Sequence, residues 1–70
     1  MTTVYIRHIR AANLCASGAR DWFRHYGFDW SDFLTNGKPA EELDATGDAM
    51  ALKVTAIARE EEADERRRGR

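Results

Sequence analysis

Cysteine is nearly absent from this sequence of 70 residues, which contains only Cys15. One thiol cannot form a disulfide within the chain, and it cannot supply the four thiolates of a structural zinc site. The two histidines, His8 and His25, lie far apart in the sequence, so no ligand pair has a metal-binding spacing. We therefore expect no metal, no cofactor and no covalent cross-link within the fold.

Long hydrophobic runs are also missing. The longest, residues 49–52, is far shorter than the roughly 20 residues that span a bilayer. The N-terminal residues lack the basic stretch and following apolar stretch of a secretory signal. These two absences predict a cytoplasmic protein that makes no membrane contact.

An excess of charge of one sign is lacking too, because 11 basic residues oppose 12 acidic residues and the net charge is -1. A nearly neutral chain does not attract nucleic acid or an anionic membrane as a whole. Any basic patch that binds such a partner has to be local.

Residues with catalytic chemistry are few, and a structural role explains each of them. The glycines are isolated, so the chain has no glycine-rich loop for phosphate. Cys15 begins an apolar stripe, where we expect a small buried thiol. The acidic pairs Asp29/Asp32 and Glu41/Glu42 lie at predicted helix starts, where negative charge is favourable. The sequence predicts no catalytic residues, and we expect a protein that is not an enzyme.

Helical periodicity is clearest in the middle of the chain. An apolar series at helical spacing predicts a helix over residues 16–26, with Gly27 as its left-handed end. Asp29 predicts the N-cap of a short helix that Gly37 ends, and Pro39 predicts the first position of another turn. Thr46 is the expected N-cap of the last helix.

These signals predict an all-α fold, a small single domain of four or five short helices. The domain is expected to cover residues 1–58, with an extended, unpaired N-terminal arm at residues 1–7. Residues 59–70 carry mixed charge and no large apolar side chain, so they predict a helix extension that frays into solvent, supported by the pairs Glu62–Arg66 and Asp64–Arg68. The expected core comprises Ile9, Leu14, Cys15, Ala19, Trp22, Phe23, Tyr26, Trp30, Phe33, Leu34, Leu43, Met50, Val54 and Ile57.

Six of the seven aromatic residues fall within residues 22–33, which is more aromatic surface than a short helix pair covers. Aromatic residues are enriched at the centres of protein interfaces. We therefore take Tyr5, Phe28 and Trp30 as candidate protein-binding residues. The unpaired arm is also a site for strand addition to a partner or to a second copy of the chain.

Nucleic-acid binding is the alternative hypothesis. Residues 10–23 resemble a helix-turn-helix, whose second helix would present Arg20, Arg24 and His25 to DNA, with Arg10 on the first helix. Three features weigh against this interpretation: the link between the two helices is expected to be tight, Asp21 lies on the same face, and the net charge is negative.

A spaced set of aromatic, glycine and acidic residues with their neighbours extends over most of the chain. The set is Arg10, Ala11, Ala12, Cys15, Gly18, Ala19, Arg20, Trp22, Phe23, His25, Gly27, Asp29, Trp30, Phe33, Leu34, Gly37, Glu42, Leu43 and residues 45–49. Through this set, residues 4–60 resemble a group of short uncharacterised open reading frames in tailed bacteriophages and prophages. The resemblance implies a bacterial or phage origin and a part in virion assembly, and it brings no active-site residues with it. We expect a non-enzymatic accessory protein that acts through protein contacts in the bacterial host cell.

Overall fold

Four short helices, one helix of 20 residues and a two-stranded sheet are present in residues 2–68, the part of the chain that the computed structural model describes. The predicted all-α class is confirmed, and the sheet is a small addition to it. Met1 at the start of the predicted arm, and Gly69 and Arg70 at the end of the predicted tail, lie outside the described residues. In chain order the elements are β1 (Thr3–Val4), α1 (Ile6–Ala11), α2 (Ala16–His25), α3 (Trp30–Asn36), β2 (Lys38–Pro39), α4 (Ala40–Asp44) and α5 (Ala49–Arg68).

The N-terminal arm is paired within the chain, so the expectation of an unpaired arm was wrong. β1 runs antiparallel to β2, with Thr3 opposite Pro39 and Val4 opposite Lys38. The backbone N–H of Ala40 extends this ladder by donating to the Thr2 carbonyl over 2.9 Å. Val4 is fully buried, so the arm is held by an apolar anchor as well as by hydrogen bonds. Strand addition by a second copy was expected because the arm was taken to be unpaired, and the β1–β2 pairing removes that reason.

Helices α2 and α3 begin and end close to their predicted bounds. Cys15 is the N-cap of α2, and its Sγ accepts a hydrogen bond from the Gly18 N–H over 3.3 Å. Asp29 caps α3 as predicted, because its Oδ1 accepts from the Asp32 N–H over 3.0 Å. Gly37, with a φ of 78°, ends α3.

The prediction that Thr46 caps the last helix was wrong. The Asp48 carboxylate does so, accepting a hydrogen bond from the Met50 N–H over 2.8 Å. Thr46 instead closes the turn after α4, where its Oγ1 donates to the Leu43 carbonyl over 2.8 Å and accepts from the Asp48 N–H. Two capping residues separated by one position compete here, and the chain uses each for a different helix end.

The core is centred on Phe23 and Phe33, which are 2% and 1% exposed. Ile9, Ala19, Leu43 and Val54 are buried as predicted, and Leu14, Trp22, Trp30 and Ile57 pack partly buried against this cluster. Four predicted core residues are exposed instead: Cys15, Tyr26, Leu34 and Met50. Small side chains fill much of the remaining interior, which also contains Val4, His8, Ala12, Ala40, Ala51, Thr55 and Ala58.

Helix α5 continues without a break past residue 58, so its charged part is not simply a solvated extension. The predicted pairs Glu62–Arg66 and Asp64–Arg68 are present at 3.7 and 2.8 Å. Other charged side chains reach the rest of the domain: Arg59 pairs with Asp44 at 2.6 Å, and Glu61 contacts α1. Between residues 2 and 68 no helix is both long enough and apolar enough to cross a membrane.

Candidate functional site

An open groove lies between α2 and the start of α3, and four of the seven candidate residues line it. Arg20 and Arg24 come from the DNA-binding hypothesis, whereas Phe28 and Trp30 come from the protein-binding hypothesis. The sequence analysis assigned these residues to two different hypotheses, but the turn between the two helices brings them to one surface. The complete lining is Arg20, Arg24, Gly27, Phe28, Asp29, Trp30 and Ser31.

The corner of the groove is formed by the end of α2. Gly27 has a φ of 74°, which lets the chain reverse after Tyr26. The N–H of Phe28 donates to the Phe23 carbonyl over 2.9 Å, and the N–H of Gly27 donates to the Arg24 carbonyl over 3.1 Å. This is the hydrogen-bond pattern of a Schellman motif. It holds Phe28 beside the last turn of α2 and fixes where α3 begins.

One wall of the groove is basic. Arg20 and Arg24 lie one turn apart on α2, on the outward side, because their neighbours Ala19 and Phe23 are buried. Among residues 2–68 neither guanidinium has an ion-pair partner. Like charges at this spacing destabilise a helix by about 0.2–0.5 kcal/mol. The wall therefore presents two positive charges that the fold leaves without compensation.

The opposite wall is aromatic and anchored in the core. The Trp30 ring packs edge-on against Phe23 with centroids 5.1 Å apart, and Phe28 packs against the same ring at 5.7 Å. Both side chains are half-buried, so each has one side in the core and another at the surface. The Lys38 ammonium lies 4.5 Å from the Phe28 ring centroid. A rigid aromatic surface of this kind loses little conformational entropy when a partner covers it.

The acid in the groove has a structural role. Asp29 is exposed, and its carboxylate caps α3 through the Asp32 N–H. It reduces the positive potential of the groove without pairing with Arg20 or Arg24. The groove thus combines two guanidinium groups, two aromatic faces, one serine and one carboxylate.

The other three candidate residues lie outside this groove. Tyr5 is 37% exposed at the start of α1, with the Arg7 guanidinium 4.9 Å from its ring centroid. Arg10 is exposed on α1. His25 is exposed at the end of α2, where its ring lies edge-on to Tyr26 at 4.9 Å.

A hydrogen-bonded pair of the buried His8 and the partly exposed Glu61 joins α1 to α5, and sequence reasoning missed it. His8 is 2% exposed; its Nδ1 accepts from the Tyr5 N–H over 2.8 Å, and its Nε2 lies 2.9 Å from a Glu61 oxygen. Because Nδ1 is an acceptor, the proton belongs on Nε2 and is donated to Glu61. Hydrogen bonds from Arg7 and His8 lower the pKa of Glu61 to about 2. Both ring nitrogens are occupied, so His8 holds the fold together and has no free nitrogen for a substrate.

Cys15 is exposed, so the expectation of a buried thiol was wrong. The Gly18 N–H, and secondarily the Ser17 hydroxyl, lower the pKa of the Cys15 thiol below its ordinary value. Its side-chain contacts are Gly18 and Ser17, and neither is a base that could activate it. Residues 2–68 contain no group of three His, Cys, Asp or Glu side chains placed to hold a metal ion.

Comparison of the chain with protein-family models, with curated proteins and with solved structures finds no match.

Proposed function

We propose that this chain is a non-enzymatic binding protein that contacts another protein through the groove between α2 and α3. The observation that carries the proposal is the placement of two unpaired guanidinium groups, on Arg20 and Arg24, beside the half-buried ring of Trp30. Arg and Trp are the residue types that contribute most binding energy at protein interfaces. Their convergence on one concave surface favours binding over catalysis.

The chemistry of the groove defines the kind of protein segment that fits it. Carboxylates on the partner would form charge-assisted hydrogen bonds with Arg20 and Arg24, bidentate where the geometry allows. An apolar side chain next to them would cover the exposed side of Trp30 and gain from desolvation. The expected partner segment is therefore acidic, with an apolar anchor within a few residues.

The biological setting follows from the resemblance to small phage and prophage reading frames. Such a binding protein would act during virion assembly in the cytoplasm of a bacterial host, on a phage or host protein. The groove supports the binding role, and the resemblance supports the setting.

Affinity capture from phage-producing cells tests the proposal with three forms of the chain. These are the wild type, the groove variant Arg20→Glu/Arg24→Glu, and the control Arg66→Glu/Arg67→Glu. The control makes the same charge change at two arginines of α5 that are 70% and 73% exposed. A captured protein is then purified and titrated against each form by calorimetry.

We expect one virion or host protein that binds the wild type and the control and loses binding to the groove variant. Circular dichroism spectra should be closely similar for all three forms, because every substituted side chain is exposed and the surface ion pairs of Arg66 and Arg67 contribute little to stability. Capture of no such protein, or equal binding by the groove variant, would contradict the proposal.

DNA binding is a second candidate that one observation favours. α1 and α2 are joined by four residues, with Asn13 in the left-handed conformation at a φ of 62°. A turn of this length is typical of a helix-turn-helix, so the link is not too tight for one. Arg10, Arg20 and Arg24 are exposed and have no ion-pair partner within residues 2–68. Asp21, exposed on α2, would face the same phosphates and repel them.

A titration against nonspecific duplex DNA at several salt concentrations distinguishes the two candidates. If DNA is the partner, affinity falls steeply with salt, and each arginine replaced by alanine lowers the magnitude of the slope by about 1. The variant Arg20→Ala/Arg24→Ala should then show a slope smaller by about 2. Absence of binding at low salt would exclude the DNA hypothesis and leave the protein-binding proposal intact.

A further inference from the structure

Helix α5 has an outward face that no other part of residues 2–68 covers. Leu52 is 47% exposed there, although it is a large apolar residue. Ala49, Ala56 and Ala63 are exposed on the same side and recur every seven residues, which is close to two helical turns. We call this surface, formed by Ala49, Leu52, Lys53, Ala56, Glu60 and Ala63, the outer face of α5.

Opposite charges lie along one edge of this face. Lys53 and Glu60 are both exposed and are also two turns apart. Neither forms an ion pair with any of residues 2–68. Elsewhere on α5 every charged side chain except Glu65 is engaged within this range, as Arg59 is with Asp44 and Glu61 is with Arg7. The two charges of the outer face are therefore available to a partner.

We propose that the outer face of α5 docks onto the same face of a second copy, with the two helices antiparallel. A two-fold axis near Ala56 lies midway between Lys53 and Glu60. It places Lys53 against Glu60 of the partner subunit, and symmetry forms the same pair a second time. A parallel two-fold arrangement would place the charged edges of the two copies on opposite sides of the interface, where Lys53 and Glu60 form no pair with each other. The charge pattern thus favours a second copy of the chain as the partner, with its α5 antiparallel.

The shape of the face agrees with this occupant. Alanines at two-turn intervals let the backbones of two helices approach closely, and Leu52 of each copy is then removed from water. Antiparallel helices also place each positive N-terminus near a negative C-terminus. The area is that of one helix pair, so it falls in the class of weak, reversible interfaces below about 1,200 Å². The proposal is independent of the groove between α2 and α3, which lies on other helices.

Sedimentation equilibrium of the full chain, over a range from micromolar to millimolar concentration, tests the proposal. The wild type should form a dimer in this range. Lys53→Glu and Glu60→Lys each replace two attractive pairs by two repulsive ones, and each should weaken the dimer by about tenfold or more. The double variant Lys53→Glu/Glu60→Lys restores opposite charges in the same geometry, and it should return the dissociation constant to within a few-fold of the wild type.

Arg10→Glu is the matched control, because it makes the same charge change as Lys53→Glu at an exposed residue of α1. It should leave the dimer unchanged. A wild type that stays monomeric throughout the range would overturn the proposal. Single variants that dimerise as the wild type does, or a double variant that fails to recover, would overturn it equally.

Discussion

Gly37 is the glycine at which adding a single methyl group should lower the free energy of unfolding most. It ends α3 with a φ of 78° and a ψ of -173°, a region of backbone conformation that is essentially restricted to glycine. A Cβ at this position would lie 2.7 Å from Thr3 Cγ2, 2.8 Å from Tyr5 Cε1 and 2.8 Å from the Val4 carbonyl oxygen. The last contact is with backbone that is fixed by the β1–β2 ladder. Gly37→Ala therefore strains the backbone and separates β1 from the turn.

The magnitude follows from two contributions. A residue held in such a backbone region costs about 1–3 kcal/mol. Overpacking by one methyl group against an interior that cannot relax costs about 1–3 kcal/mol more. The sum, about 2–6 kcal/mol, compares with a free energy of unfolding of about 4–10 kcal/mol for a chain of this length. For a small domain this corresponds to a melting temperature lowered by at least about 10 °C.

Gly47→Ala is the matched control. Gly47 has a φ of 69°, and a Cβ there would meet nothing within 4 Å. It should cost only the left-handed conformation, about 1–2 kcal/mol. Urea unfolding followed by circular dichroism measures both variants. We expect the loss at Gly37 to exceed the loss at Gly47 by at least about 1 kcal/mol. Equal losses would show that β1 does not pack against Gly37 as described.

Three further predictions concern the His8–Glu61 pair, the core around Phe23 and the Cys15 thiol. Glu61 has a pKa of about 2 against an ordinary 4.5. Its contribution to the free energy of unfolding is therefore present above about pH 4.5 and is lost as the pH falls toward 2. Glu61→Gln should flatten the pH dependence of stability in this range, as measured by urea unfolding. Phe23→Ala should lower the free energy of unfolding by about 3–5 kcal/mol. Leu34→Ala, at a residue that is 51% exposed, should change it by less than about 0.5 kcal/mol. Similar losses for the two variants in urea unfolding would contradict the assigned core. Cys15 should react with iodoacetamide in the native state, and the pH midpoint of its rate should lie below that of the unfolded chain; a thiol protected until unfolding would refute its exposed position.

Elements that depend on neighbouring residues were predictable from the sequence. Asp29 caps α3, and Gly27 and Gly37 end helices, because each signal acts within one turn. The same local reasoning failed for Cys15. Its place at the start of the apolar stripe indicated burial, but the first turn of α2 needs an acceptor at the N-cap, and the thiol meets that need at the surface. Helix periodicity does not show which residue at a helix end will be used as the cap.

Elements formed by distant residues were not predictable. β2 is two residues long and includes a proline, so nothing in its composition indicates a strand until β1 is placed beside it. His8 and Glu61 are separated by 53 positions, and no local pattern indicates that two polar residues so far apart will meet. Burial of His8 is tolerated only because both ring nitrogens find partners. The groove likewise required the turn after α2 to bring two candidate sets together.

The distribution of ion pairs converts a nearly neutral chain into one with a distinct basic surface. Within residues 2–68, the cations that pair with acids are Arg7, Lys38, Arg59, Arg66, Arg67 and Arg68. The cations left without such a partner in that range are Arg10, Arg20, Arg24 and Lys53. Two of these line the groove between α2 and α3, and Lys53 lies on the outer face of α5, opposite in sign to Glu60. Because paired charges contribute little to a new contact, the unpaired ones mark where a partner gains most. Net charge alone therefore does not show which charges of this chain are available to a partner, because that depends on how the charges are placed.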